Sequence, residues 1–589
     1  MSGNDSLSEA SRSSLPILNS TTNPTSGSAS RRHALSSSDE STSSRIQSAD
    51  PFRIGGPLSL PDFPLESCPL DSTDSLKKHE ALILDIARRQ LATRNISYQN
   101  MALCKRCPAG RSFIESDQTL LIVAPRRLDN LWVVAIDEIL TEYSQNGIRG
   151  RIEIIDPMAL FGKTTHPSDA TEELALLWET NLRPLVLEAL RDVGWRSINI
   201  CKRGYEQRDA KQTILICIPQ NIYFSENAVR LSVENVTADS GLEVEILRCP
   251  CFWGLLNSNH NTKIDPENIW FDTGYPFLIG TSISCEDSTG SGTIGGYLSM
   301  RIKDIDKPVE TINLGMTCHH VVSKSDNGVG LIHGDTPFLC FSPSTDDLTM
   351  MRSRLEQTRN ELDVLPPFFR DKVKSVLKLF EIIHKPNTYE IGRILASSGF
   401  RELQLELPQD SSWGVDWALV KVEARNSYVS NYIGDFKTTI RPIAARFSWN
   451  PRGSYVCGSA VATGMSFRQQ PVFKRGQTTG TTAGYAERIL ADLRIDEWPT
   501  GMTHRAVLIS NWPKSLPTDI LNTSADHGDS GSWVLNNGGD LVGIVTSGSH
   551  STDTVAYMMP FEIARLDMVN QFNKIAGTSF ELDWPSSDI

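Results

Sequence analysis

The chain has 589 residues, too many for one hydrophobic core, so two or three folded units with tails are expected. Its 57 basic and 70 acidic residues leave a formal charge of −13, an overall field that gives no support to a nucleic-acid partner. No stretch approaches the roughly 20 apolar residues of a membrane span, and the first fifty residues lack the apolar segment of a secretory signal. The expectation is an intracellular, cytoplasmic chain without a membrane partner, the nucleus being the alternative.

Residues 1–74 read as a disordered tail and linker. Seventeen serines fall in the first fifty positions with few apolar residues and no period, a composition that cannot bury enough surface to offset chain entropy. Arg31-Arg32 is the only basic pair there, and Pro51 to Thr73 continues as a proline-bearing linker. From Ser75 a helical face runs through Leu76, Leu82, Leu84, Ile86 and Leu91, followed by apolar strands at Leu120–Ala124, Leu131–Ala135 and Arg151–Ile155 and a helix at Glu138–Tyr143. Ala170–Val193 has the pattern of one long amphipathic helix, and Ser197–Ile200, Thr213–Ile218 and Leu242–Leu247 read as strands. Alternating strands and helices predict an α/β domain over 75–255, with a linker at 256–272 that is most exposed around 257–265. This domain carries no phosphate loop or dinucleotide fingerprint, and nothing in it indicates a cofactor.

Over 273–575 short β-patterned runs dominate, among them Phe277–Ser284, Gly292–Met300, Trp417–Val422, Val456–Ala462, Ala506–Ser510, Ser532–Leu535 and Leu541–Thr546. Many short strands between glycine, threonine and serine turns predict an all-β barrel or sandwich. The exception, about 347–385, is rich in Leu, Arg, Glu and Lys and broken at Pro366-Pro367, which predicts a helical hairpin inserted into the β-domain. Residues 576–589 are expected to be a C-terminal tail. The fold class is therefore multidomain, α/β followed by all-β with a helical insertion. The 11 cysteines, odd in number and scattered, read as reduced thiols. Cys104-Lys-Arg-Cys107 and Cys249-Pro-Cys251 have zinc-pair spacing, but neither has a partner pair at finger-like distance, so no metal site is expected.

Three stretches carry chemistry. Gly528-Asp529-Ser530-Gly531 places a small serine between glycines that let the backbone approach and turn its N–H groups inward; the bland reading is an exposed turn. Thr317-Cys318-His319-His320-Val321-Val322 ends an apolar strand with two histidines, where a satisfied structural histidine competes with a base. Asp416-Trp417-Ala418-Leu419 opens an apolar run with a carboxylate, which is costly to bury unless a donor meets it and otherwise marks an exposed strand end. An acyl-transfer site needs a serine, a base, a group that orients the base, and amide donors for the oxyanion. The chain order His, Asp, Ser differs from that of subtilisin-like enzymes and of α/β-hydrolases.

Together these stretches resemble the trypsin and chymotrypsin clan of serine proteases over about 276–568, with details similar to the disulfide-free HtrA type and to intracellular fungal trypsin-like proteins. The resemblance implies a chymotrypsin-like double β-barrel of six strands each, with the site between them. It implies His320 as base with His319 as runner-up, Asp416 as the orienting carboxylate, Ser530 as nucleophile, and the amides of Gly528 and Ser530 as oxyanion donors. Thr546, Ser547 and Gly548 would line the primary pocket and pair with a peptide substrate, with Ser524 at the position that selects the substrate side chain. Serine there is not acidic, so a small or apolar preference is expected rather than Lys or Arg. Further similar stretches are Ser291–Tyr297, Ile391–Ser398 and Lys474–Gly484, the last expected as a hairpin near the pocket wall. Ile294-Gly295-Gly296 looks like the new amino terminus of activated zymogens but lies within a strand pattern, so a barrel strand is expected. The sequence leaves three alternatives: an active endopeptidase acting on protein or peptide, a protease-shaped binding module with a silent site, and an enzyme whose α/β half is a pro- or sensor domain released or retained after self-cleavage.

Overall fold

The structure is a computed structural model. It describes residues 47–50, 52–61, 63, 65–108, 111–127, 129–160, 162–219, 222, 224–249, 279–286, 290–304, 310–323, 325, 327–330, 338–360, 389–405, 411–423, 431, 468–494, 503–511, 525–536, 538–548, 555–575 and 578–583. The serine-rich first 46 residues, the expected linker at 256–272, the Val456–Ala462 strand and Ser524 lie outside the described residues.

A mixed six-stranded sheet comes first, in the spatial order Gln47–Asp50, Arg53–Gly56, Arg151–Ile155, Gln118–Val123, Asn100–Pro108, Leu65–Pro69. Gln118–Val123 and Arg151–Ile155 run parallel, and the other pairings are antiparallel. Helices Glu80–Thr93 and Leu131–Gln145 pack Ile83, Ile86, Leu91, Trp132, Ile136 and Ile139 onto Ile54, Leu120, Ile122, Ile152 and Ile154. Two expectations change here. Three of the six strands precede Ser75, so the stretch read as a linker supplies sheet edges instead. Leu131–Ala135 is the start of a helix, because its apolar residues continue into Ile136, Ile139, Leu140 and Tyr143 at helical spacing.

A second layer has strands Ser197–Gly204, Lys211–Pro219 and Glu243–Cys249 under helices Glu172–Leu177, Arg183–Ala189 and Glu226–Thr237. The single long helix expected at 170–193 is one helical run widened to a π turn at Trp178–Leu182. Pro184, which has no N–H to give back to the preceding turn, follows directly and accounts for the wider turn. This layer is continuous with the β-rich half of the chain: Ser197–Gly204 pairs with Ala491–Leu493, which pairs with His504–Asn511, and all lie on one path through a 13-stranded sheet.

Within that path six strands close on themselves in the order His504–Asn511, Gly480–Ala486, Gln470–Gly476, Trp533–Asn536, Leu541–Gly548, Ala556–Pro560, the last pairing back onto the first. This is a closed antiparallel barrel. The other β unit is an open eight-stranded sheet: Gly292–Thr293, Ser282–Cys285, Leu339–Phe341, Glu390–Ser397, Ala418–Val422, Glu310–Thr317, Gly296–Asp304, Thr578–Asp583. Two six-stranded barrels were expected; the described strands form one closed barrel and one curled open sheet. Thr578–Asp583, expected as tail, is an edge strand paired to Gly296–Asp304. Of the expected helical hairpin, helix Thr345–Asn360 is described and 361–388 lie outside the described residues. One hydrophobic core joins the two β units, with Leu314, Met316, Trp417 and Leu419 from the open sheet and Val534, Ile544 and Met558 from the barrel. Among the described residues no helix is long and apolar enough to cross a membrane.

Candidate active site

The histidine pair sits where strand Glu310–Thr317 gives way to the single helical turn His319–Val322. The two rings go to different partners. His319 is fully buried, with Nδ1 2.9 Å from Ser397 Oγ and Nε2 2.7 Å from Ser325 O, and its ring meets Phe400 edge-on. His320 places Nδ1 2.6 Å from Asp416 Oδ2, while its backbone N–H donates to Asp416 Oδ1 at 3.2 Å. His320 Nε2 is buried and has no hydrogen-bond partner among the described residues. Such a buried nitrogen is costly to leave empty.

Asp416 is only 4 % exposed. It lies between Ser411–Val415, whose Trp413 pairs with Arg505 of the barrel, and Ala418–Val422 of the open sheet. Burial alone would raise its carboxyl. The charge of His320 and its hydrogen bonds, with His319 behind, outweigh this and hold the group below the usual carboxylate range. The next residue is clamped on both sides: Trp417 N donates to Ser398 Oγ at 2.9 Å, Ser398 N donates to Trp417 O at 2.8 Å, and Trp417 Nε1 donates to Asp567 Oδ2 at 2.7 Å. Asp567 belongs to helix Phe561–Phe572 and also pairs with Arg401. The stretch Ile391–Ser398 thus supplies Ser397 to His319 and Ser398 to Trp417.

Ser530 is fully buried, and its Oγ lies 3.4 Å from Thr546 O. Gly528 and Gly531 flank it with φ of +96° and +92°, a conformation that favours glycine. Asp529 N and Gly531 N are committed to Asp526 O and Val545 O. The expected pocket residues Thr546, Ser547 and Gly548 close strand Leu541–Gly548 beside the serine loop. Ser547 Oγ is buried without a partner among the described residues.

What brings the histidine and serine segments together is a residue that sequence reasoning did not single out. Thr293 N donates to Ser530 O at 2.7 Å, Thr293 Oγ1 donates to Gly528 O at 2.7 Å, and Thr293 O accepts from Thr317 Oγ1 at 2.8 Å. The glycines around it are there for room. A Cβ on Gly295 would stand 2.2 Å from Gly531 O and 2.4 Å from Trp533 Cδ1. Ile294 N is bonded to Thr281 O and Gly296 begins a strand, so this stretch runs within the chain's sheet.

Cys318, His320 and Asp416 bring donor atoms within 4.8 Å of one another. Cys318 Sγ gives its hydrogen to Val545 O at 3.3 Å, and burial together with Asp416 pushes the thiol pKa well up. The CxxC cysteines, Cys104 and Cys107, lie on the six-stranded sheet, whereas Cys249 lies on the 13-stranded one. Burial raises the Cys104 thiol to about 11. Cys251 lies outside the described residues.

Residues 271–561 match the model of peptidase family S64. The enzyme is a serine peptidase by class. No curated protein sequence matches the chain. Among solved structures it is similar to a glutamic acid-specific serine protease described as using a histidine triad in substrate binding, at 13% identity over 50% of this chain and 97% of that one, with a TM-score of 0.24. It is also similar to the Rv3671c protease in inactive form, at 12% identity over 48% and 90% of the two chains and a TM-score of 0.19. The active form of that protease from M. tuberculosis gives 14% identity over 49% and 83%, with a TM-score of 0.19.

Proposed function

We propose that this serine peptidase is an endopeptidase of protein or peptide substrates in which Ser530, His320 and Asp416 act together. The observation that carries the reading is the buried 2.6 Å bond from His320 Nδ1 to Asp416, with Nε2 left without a partner among the described residues. A neutral imidazole held in that tautomer has its other nitrogen available to take a proton. Ser530 Oγ turns about its χ1 bond from Thr546 O toward Nε2 and attacks the scissile carbonyl, forming the C–O bond as its proton passes to His320. The C–N bond then breaks as His320 returns that proton to the leaving amine, and water repeats the exchange to release the acid and restore the serine. Asp416 keeps the ring oriented and stabilises its charged form. The Gly528 and Ser530 amides meet the oxyanion. Thr546–Gly548 present the edge on which a peptide pairs, and Ser524 at the selecting position favours a small or apolar side chain. No metal or organic cofactor enters these steps.

The α/β half belongs to the same reading as a pro- or sensor domain. Self-cleavage between the halves would leave that half attached through the ladder from Ser197–Gly204 to Ala491–Leu493, by Arg183 to Asp492 at 2.7 Å and by Arg505 to Glu179 at 2.5 Å. The action is proposed to be intracellular. Incubating the full chain with a fluorophosphonate probe should label Ser530, and Ser530→Ala should abolish both the label and any shortened band on a gel. Label at full level in Ser530→Ala places the nucleophile elsewhere, and a wild type that never labels turns the fold into a silent binding module, the reading that the burial of Ser530 and its contact with Thr546 O would then favour.

A further inference from the structure

Strand Gln470–Gly476 of the closed barrel carries a lysine where a barrel wall wants an apolar or small side chain. Lys474 pairs with Thr482 on one side and Val534 on the other, and is only 3 % exposed. Its Nζ lies 2.8 Å from Asp529 Oδ2 and 2.6 Å from Thr479 Oγ1, with Asp529 itself at zero exposure. Every remaining lone pair of Asp529 is also engaged: Oδ2 accepts from Thr479 Oγ1 at 2.6 Å and Asp526 N at 3.0 Å, and Oδ1 accepts from Thr478 N at 3.0 Å and Thr479 N at 3.2 Å. Thr478 Oγ1 in turn donates to His527 O. A Cβ on Gly476 would stand 2.1 Å from Asp529 Oδ1, so that glycine is what lets the carboxylate in.

We infer that Lys474 is a positioning residue for the peptidase reaction. Its cation, supplied from inside the chain, draws the Asp529 side chain into the barrel wall and so sets the two peptide planes on either side of Asp529. Those planes carry the Asp529 and Ser530 amides, and the Gly528 amide lies one plane further back. The inference rests on the proposed roles of Ser530 and of the Gly528 and Ser530 amides. A fully buried ion pair is a poor device for stability alone, since removing both charges is often neutral while removing one is not. A device that fixes direction is a different matter: Asp529 and Ser530 sit between two glycines with positive φ, the plane before Asp529 is held by Thr293 Oγ1 on Gly528 O and by Asp529 N on Asp526 O, the plane after it by Ser532 on Asp529 O, and the inward pull on the side chain fixes the Cα that joins the two. Amide donors must already point at the developing oxyanion to lower the barrier, so a loop free to rotate binds reagent but reacts slowly.

The test compares full-length wild type, Lys474→Arg, Lys474→Met and the double variant Lys474→Met/Asp529→Asn, reading melting temperature and separating the maximal rate of fluorophosphonate labelling from the concentration giving half of it. Lys474→Met should lower the maximal rate by about 100-fold or more, the scale of a lost oxyanion donor, with the half-saturating concentration within about threefold; Lys474→Arg should recover part of that rate. The double variant should melt close to wild type yet stay slow, which a merely structural lysine would not produce. If Lys474→Met fails to fold, the double variant alone decides. Wild-type labelling with an unimpaired rate in the folded single variant, or a full rate in the double variant, overturns the clamp and leaves the triad standing. A wild type without label at Ser530 overturns both.

Discussion

Two adjacent histidines at one strand end divide the work because each ring nitrogen is a single bonding site. Both nitrogens of His319 are taken, by Ser397 and Ser325, and such a ring cannot accept a proton from a serine without giving up a buried bond. His320 has one nitrogen on Asp416 and one without a partner among the described residues. His320→Gln should therefore abolish fluorophosphonate labelling while the protein stays folded. His319→Gln should lower the melting temperature by about 2–4 °C for each kcal/mol of lost bonding and leave the labelling rate within about threefold. A reversal of these two outcomes would move the base to His319. At this scale the sequence was legible where a residue type has few uses, as in Gly-Asp-Ser-Gly or an aspartate before Trp-Ala-Leu. The resemblance marked the stretches Ser291–Tyr297 and Lys474–Gly484 but gave Thr293 and Lys474 no role, because a threonine after a glycine and a lysine in a strand have ordinary surface roles, and only the approach of a distant loop gives them another.

At the level of elements, the stretch Gly292–Gly296 is a wedge in which Thr293 bonds the serine loop while Gly292, Gly295 and Gly296 leave room for the histidine strand and the serine loop to meet. Gly295→Ala forces its new methyl into Gly531 O and the Trp533 ring, neither of which is the loose end of a flexible chain. The expected result is a serine loop displaced from Thr293, with the labelling rate reduced at least tenfold and the protein destabilised by about 1–3 kcal/mol; denaturant melts and labelling on one sample read both. Unchanged values would mean that the wedge does not set the loop. Element type followed periodicity wherever one face alone was buried, as in helix Glu80–Thr93, though even there the buried set is Ile83, Ile86, Ala87 and Leu91 and not Leu82, which is exposed. Leu131–Ala135 misled because five apolar residues fit either a strand or a helix, and the deciding positions lie beyond them. The strands before Ser75 were hidden because Gln47–Asp50, Arg53–Gly56 and Leu65–Pro69 are short, proline-flanked and partly polar, and become strands by pairing with longer neighbours.

Across the whole molecule the α/β layer and the barrel meet at buried polar groups as well as along strands. Glu487 is fully buried where the two come together, accepting from Ser168 N at 3.1 Å and from Ser510 Oγ at 2.6 Å. Burial pushes its carboxyl up to about 8, although both donors favour the ionised form. A carboxyl whose folded value is raised above its unfolded one holds its proton in the fold across the interval between them, so stability is greatest below about pH 4.5 and is lost as pH rises toward about 8. Melting temperature followed from pH 5 to 9 should fall through that window in wild type, and Glu487→Gln should flatten the fall; parallel curves would assign the loss to other groups. None of this meeting was readable from the chain, since the strands that join lie about 290 residues apart and neither advertises its neighbour.

The last described strand, Thr578–Asp583, occupies the outer rim of the open sheet and hydrogen-bonds along Gly296–Asp304, the strand that comes after the Thr293 wedge. Trimming the polypeptide at residue 575 for convenience of expression would bare that rim, turning a shielded border into an adhesive one that invites a neighbouring molecule to add its own backbone. Affinity handles on this protein are better appended beyond Asp583 than substituted for the residues that precede it.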